Sequence, residues 1–287
     1  MTSCAACGKE GSSDNMNTCN KCKMVKYCNA ACKKKHRSKH KKACERRVAE
    51  LHDEKLFKEV KPDECPICLR PMPIETNTTT FKTCCGKKIC NGCIYAMQMS
   101  EGGGDLCPFC RTPMPSSDEE RINGIKKLMR KGNGGAFHQL GSCYIGGDLG
   151  LQQDREKANE LWLKAGELGC AEAYHNLGNS YYHGRGVETD LKKAQHYWEL
   201  AAMCGDLKAR HNLAYAECEA GNDDRAFKHY IIAAKAGTKE SLAYVEMGFK
   251  NGFVTKDEYA STLRAYHERH TEMKSDERDK AAAHLLT

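Results

Sequence analysis

The chain has 287 residues, 29% of them charged, 40% hydrophobic and 7% aromatic, with a net charge of +7. At about 100–200 residues per domain this length suits two or three domains rather than one large core. No apolar run approaches the roughly 20 residues of a membrane-spanning helix, and the opening MTSCAACGKE lacks the basic and apolar sections of a secretory leader. A reducing cytoplasmic or nuclear location with no membrane partner is therefore expected, where 19 cysteines, 15 of them before residue 111, signify metal before disulfides.

The first cysteines come as Cys4-x-x-Cys7 and Cys19-x-x-Cys22, then Cys28, Cys32, His36, His40 and Cys44 at intervals of four. Zinc takes four N or S ligands in a tetrahedron, and a Cys-x-x-Cys turn supplies two thiolates at once. Two such turns and four later ligands would close two sites. The segment from Cys28 to Cys44 has no Gly or Pro and is predicted helical. Cys32 and Cys44 would then stand about 18 Å apart along the axis and cannot share an ion. His40 and Cys44, one turn apart, can. The ligands must interleave, Cys32 serving one ion and the His40/Cys44 pair the other.

Those pairs, with Tyr27-Cys28, Cys32, His40 and Cys44, resemble a MYND finger over residues 4–44. The resemblance implies that Cys4, Cys7, Cys28 and Cys32 hold one zinc and Cys19, Cys22, His40 and Cys44 the other. Arg37 stands where that family usually has Trp, and His36 where it tolerates Asp or His. Residues 1–60 carry 15 Lys and Arg against 7 Asp and Glu. The basic run Lys33, Lys34, Lys35, Arg37, Lys39, Lys41 and Lys42 reads as a solvated helix face or a protein-docking surface. With Tyr27 the only aromatic before Phe57 to stack on bases, a nucleic-acid partner is not expected.

After a short charged helix, roughly 45–60, come Cys65-Pro-Ile-Cys68, the adjacent Cys84 and Cys85, Cys90-x-x-Cys93 and Cys107-Pro-Phe-Cys110. No histidine lies between His52 and His138, so every ligand here must be a thiolate and the sites closed and structural. The segment resembles an all-cysteine RING finger over residues 65–111. That resemblance implies Cys65, Cys68, Cys90 and Cys93 on one zinc and Cys84, Cys85, Cys107 and Cys110 on the other. The missing spacer between Cys84 and Cys85 leaves open whether Cys84 or a water completes the second site. It also implies that Ile67, Met97 and Pro108 grip a ubiquitin-conjugating enzyme and that Arg111 holds ubiquitin in its reactive pose. No Ser/His/Asp set, phosphate loop or paired carboxylates offers another chemistry.

Ser117-x-x-Glu120 predicts a capped helix with Ile122, Ile125, Leu128 and Met129 on one face. Beyond it AFHQLGSCYIGG (136–147), AYHNLGNSYYHG (173–184) and ARHNLAYAECEAG (209–221) repeat with periods of 37 and 36, and Trp162 and Trp198 are 36 apart. Periods of this size signify an α-solenoid, and these resemble Sel-one-like repeats, related to tetratricopeptides. A degenerate unit at roughly 241–270 and a charged last helix would cap the stack. Partner contacts are sought among exposed residues such as His175, Tyr182 and Arg210. Cys143, Cys170, Cys204 and Cys218 are expected to be small buried hydrophobes.

The fold expected is multidomain: two small zinc-stabilised fingers (1–45 and 63–115, joined by a helical linker at 46–62) and an all-α solenoid of helix-turn-helix repeats with a capping helix (116–287). The fingers are expected to fold apart from the solenoid. The function implied is a RING-type ubiquitin-protein ligase that binds a conjugating enzyme and recruits protein substrates or partner peptides through the MYND finger and repeats. The alternative is a non-enzymatic, zinc-binding interaction scaffold. About four zinc ions per chain are expected; native mass spectrometry giving two or fewer would remove one finger assignment.

Overall fold

The computed structural model describes residues 2–12, 15–75, 77–101 and 104–284, which form two compact units, Met1–Lys58 and Glu59–Thr287. In the first, β1 (Thr2–Ser3) pairs with β2 (Glu10–Gly11) and β3 (Asn17–Thr18) with β4 (Lys26–Tyr27), both antiparallel. Each two-residue ladder brackets one Cys-x-x-Cys turn. Helix α1 then runs unbroken over Ala30–Leu56, so the finger's helix and the charged helix read separately in the sequence are one element. Its N-terminus is set by Asn29, whose side chain accepts from the Cys32 N–H at 2.8 Å. It has no continuous apolar stripe, and it contributes His40 and Cys44 to the interior of its unit.

The second unit opens with two further knuckles and the hairpin β5 (Thr79–Phe81) and β6 (Lys88–Cys90), followed by α2 (Asn91–Gln98). Helix α3 (Asp118–Arg130) starts where the sequence places it: the Ser117 hydroxyl accepts from the Glu120 N–H at 3.2 Å. The reciprocal arm is shifted by one, since the Glu120 carboxylate takes the N–H and O–H of Ser116. Four helix pairs follow: α4 (Gly134–Gly146) with α5 (Arg155–Glu167), α6 (Ala171–His183) with α7 (Leu191–Met203), α8 (Leu207–Glu219) with α9 (Asp223–Lys235), and α10 (Lys239–Lys250) with α11 (Lys256–Met273). The segment read as one degenerate unit is therefore a helix pair, its second member opened by a full capping box between Thr255 and Glu258. Helix α12 (Asp276–His284) ends the described chain. No helix of the described residues is long and apolar enough to cross a membrane.

The repeat register is held by one contact between a small residue and an aromatic ring in each of the first three pairs. A Cβ at Gly141 would lie 2.8 Å from the Trp162 ring, and one at Gly178 2.4 Å from the Trp198 ring. In the third pair the same positions are Ala214 and Tyr230, both fully buried. The smaller ring leaves room for the methyl. Along the first helices of the pairs a polar ladder joins successive repeats: Asn176 donates to His138 at 3.0 Å, and Asn212 bonds both His175 and Asn179.

The expectation that the second finger folds apart from the solenoid is corrected by the packing. Phe81 joins the cluster of Ile125, Leu128, Ala136 and Leu140, and a Cβ at Gly86 would collide with Asn133. Lys88 pairs with Glu172 on α6. Burial works to raise the Glu172 carboxyl, but the Lys88 ammonium and its hydrogen bond bring it down to about 2. This hairpin and the first repeats share one core, so the chain does not divide there. We expect Gly178→Ala to destabilise the second unit by about 1–3 kcal/mol through overpacking against Trp198, lowering its melting temperature by about 2–10 °C. Gly150→Ala, at a positive φ with open space around it, is expected to lose only about 1 kcal/mol; thermal denaturation compares the two.

Candidate metal centres

Five turns of one design position most of the cysteine ligands. In each, the N–H of the fifth residue returns to the carbonyl of the first: Gly8 to Cys4, Lys23 to Cys19, Leu69 to Cys65, Gly86 to Lys82 and Arg111 to Cys107. The same first residues donate forward, Cys4 to Lys9, Cys65 to Arg70, Lys82 to Lys87 and Cys107 to Thr112, while Cys19 reaches Val25. The fifth residue is left-handed every time, with φ between 56° and 73°. Gly8 and Gly86 meet that demand without steric cost; Lys23, Leu69 and Arg111 adopt it under strain.

The third of these turns resolves the adjacent cysteines. Its first position, occupied by a cysteine in the other four, is Lys82, which is buried. Cys85 keeps the usual second position, and Cys84, inside the turn, supplies the other sulfur. Cys84 Sγ lies 3.5 Å from Cys110 Sγ, and Cys85 Sγ 3.9 Å from Cys107 Sγ. Cys84 thus lies in one group with Cys85, Cys107 and Cys110.

The structure gathers the cysteines and one histidine into four groups, in each of which all ligand atoms lie within 4.8 Å of one another. In the first unit they are Cys4, Cys7, Cys28 and Cys32, and Cys19, Cys22, His40 and Cys44. In the second they are Cys65, Cys68, Cys90 and Cys93, and Cys84, Cys85, Cys107 and Cys110. Sulfur separations are 3.7 Å for Cys7–Cys28, 3.8 Å for Cys19–Cys44 and for Cys65–Cys93, and 3.9 Å for Cys68–Cys90. His40 Nε2 is 3.2 Å from Cys22 Sγ. Zn–S bonds of about 2.3 Å in a tetrahedron put neighbouring sulfurs about 3.8 Å apart. The donor sets and their spacing thus fit zinc, far beyond the roughly 2.05 Å of a disulfide.

Electrostatics point the same way. Backbone N–H groups of Cys28 and Ala6 hold the Cys4 thiol down at about 6. Burial opposes ionisation of Cys65, yet the N–H groups of Cys68, Cys90 and Ile67 bring it to about 7. Its cluster mate Cys93 is pushed far up by burial and by the neighbouring sulfurs. One thiolate suppresses the next, and a bound cation is what would let four coexist. His36 stands outside these groups: its Nδ1 meets the buried Tyr27 hydroxyl at 3.2 Å, and its ring stacks on His40 at 5.9 Å.

Other candidate residues fall differently. Arg37 is exposed on α1. Arg210 is buried, donating to the Ala202 carbonyl at 2.9 Å, so it packs the solenoid rather than meeting a partner. His175 is half-buried in the Asn–His ladder, whereas Tyr182 remains exposed. Cys143 is buried and Cys170 and Cys218 half-buried, but Cys204 is exposed, contrary to expectation. Sequence reasoning missed Lys82 and Arg278; only the turn register around Cys85 could have marked the first.

Residues 4–44 match the MYND finger family, and residues 138–170, 171–206 and 208–238 each match the Sel1 repeat. Among solved structures the chain is similar to a Sel1 repeat protein from Oxalobacter formigenes, with 22% identity over 62% of this chain and 70% of that one and a TM-score of 0.48. It is similar too to a protective antigen of uropathogenic Escherichia coli displaying an SLR fold, with 19% identity, 66% and 43% coverage and a TM-score of 0.46. The chain carries a MYND finger and Sel1 repeats, both of them modules that generally mediate protein–protein interaction. We expect His36→Ala to keep the full zinc complement and His40→Ala to lose one ion per chain, read by native mass spectrometry.

Proposed function

We propose that the chain is a RING-type ubiquitin-protein ligase whose second finger engages a ubiquitin-conjugating enzyme while the MYND finger and the repeats recruit protein substrates or partners. The observation that supports this most is the crossing of ligand pairs between residues 65 and 110: the first pair groups with the third and the second with the fourth, around one hairpin and one short helix. In this reading the functions divide over residues 1–45, a linker at 46–62, 63–115 and 116–287, in a cytoplasmic or nuclear protein. Each of the four clusters, Cys84 included, would hold one Zn2+, whose contribution is to fold the finger, since four protein ligands leave no open position for hydrolysis.

The contact residues are available for the role. Ile67 is 39% exposed in the first knuckle, and Met97 and Pro108 are half-buried. Arg111 is exposed, with Nη1 3.7 Å from Met97 Sδ, so the ubiquitin-positioning candidate adjoins the helix that would meet the conjugating enzyme. Rate would come from fixing a thioester-linked ubiquitin in an attack-ready pose for a substrate lysine, not from an acid, base or nucleophile of this chain. A non-enzymatic scaffold is the second reading, favoured by the interaction character of the two matched modules.

Single-turnover discharge of ubiquitin from a panel of charged conjugating enzymes onto free lysine separates them. The zinc-loaded chain should accelerate discharge, and Ile67→Ala and Arg111→Ala should each reduce it at least tenfold, the effect of an interface anchor of about 1.4 kcal/mol or more. No acceleration from the zinc-loaded wild type across the panel would leave the scaffold.

A further inference from the structure

Helix α12 is remote in sequence from the second finger, yet it lies against that finger's helix α2. The contact is close at Gly92, where a Cβ would sit 2.7–3.0 Å from the Cγ, N and Cα of Arg278. A glycine there lets the two backbones approach. One turn further along α2, the Tyr95 ring meets His284 with centroids 5.6 Å apart. Ala281, between them on α12, is buried.

From this position Arg278 reaches into the first cysteine group of the finger. Its Nη2 donates to Cys68 Sγ at 3.4 Å. Its Nη1 donates to the carbonyl of Pro71 at 2.8 Å and to that of Met273 at 2.6 Å. One guanidinium therefore ties a candidate metal ligand, the chain just beyond its knuckle, and the end of α11. Arg70 adds a bond from the other side, Nη1 to the Glu272 carbonyl at 3.4 Å. Four thiolates around a divalent cation carry a net charge of −2, and a guanidinium is suited to bond such sulfurs and offset that charge. The buried Lys82 brings a positive charge near Cys107, Cys84 and Cys85 of the other group, although its ammonium bonds Met114 Sδ rather than a ligand sulfur.

We propose that α12 is an integral part of the second finger, and that Arg278 is a positioning residue for Cys68, so that metal retention in the Cys65/Cys68/Cys90/Cys93 group and docking of the C-terminal helix are reciprocally coupled. This rests on the zinc reading of that group. Two features make the coupling effective. A helix of nine residues with a single buried alanine is not stable alone, so its order depends on the surface it docks to. That surface is the face of α2 bearing Gly92 and Tyr95. Met97 lies about 140° around the axis from Gly92, so α12 braces the finger from behind and leaves the face with Met97 and Arg111 uncovered.

The test uses the full zinc-loaded chain. Zinc transfer to excess chromogenic chelator is followed for wild type, Arg278→Met, which keeps the aliphatic stem without donors, and Arg278→Lys. Arg278→Met should speed release of one ion about 10-fold to 100-fold, the usual effect of losing an outer-shell partner, with Arg278→Lys in between. Cobalt substitution should show a shifted thiolate charge-transfer band in Arg278→Met, which a purely structural helix contact would not move. A second measurement needs no variant: stripping zinc from wild type should abolish hydrogen-exchange protection over residues 276–284 while α5 to α7 stay protected. A wild-type count of only two ions would overturn the zinc reading, and the inference with it. A full count with unchanged release and an unchanged cobalt spectrum in Arg278→Met would overturn the inference alone, as would α12 protection that survives stripping.

Discussion

Sulfur atoms 3.5–3.9 Å apart cannot all be thiolates without a cation among them. Much of the architecture before residue 115 follows from that constraint. The buried cluster of the first finger is largely its own ligand set, with Met16 and Tyr27 the other buried members. In the second finger Ile89 is the one buried apolar residue of its cluster that is not a cysteine. Strands of two or three residues cannot define a register by packing; here the pairing of knuckles defines it. The protein accepts left-handed backbone at Lys23, Leu69 and Arg111 because the turn must close on its sulfurs whatever residue comes next.

The solenoid follows a different logic, in which shape complementarity replaces charge. A glycine facing an indole, twice, and an alanine facing a phenol, once, show the same contact solved by two residue combinations of similar total volume. Polar residues on the first helices turn toward one another rather than outward. Histidines 138, 175 and 211 are each held below the ordinary imidazole range by burial, which favours the neutral ring that meets Asn176, Asn212 and Ser241 of the next repeat.

Features with local periodicity were legible in the sequence, and features made by distant contacts were not. The Cys-x-x-Cys spacings and the helical interval from Cys32 to Cys44 implied interleaving because each depends on a few neighbouring residues. The 36–37-residue period exposed the repeats for the same reason. Cys84 and Cys85 could not be resolved, because the turn is defined by a hydrogen bond from Gly86 to Lys82, and a lysine in a ligand's place carries no signal. Arg210 looked like a surface residue because charge is normally exposed; its burial follows from the depth of the site between α7 and α8. The bond between Cys68 and Arg278 spans 210 residues and leaves no pattern in either neighbourhood.

A stack of repeats is ordinarily a spring: each unit touches only its neighbours, the ends are free, and the whole can stretch, twist or fray from either tip. Here the second finger grips the first repeats through Phe81 and Lys88 and the last helix through Gly92 and Arg278. The spring is clasped at both ends by one small body. Its curvature becomes a fixed property of the fold, and fraying of the last helix must disturb the same clasp that seats the first repeats. Any stretching of the stack would thus be felt as load on the finger.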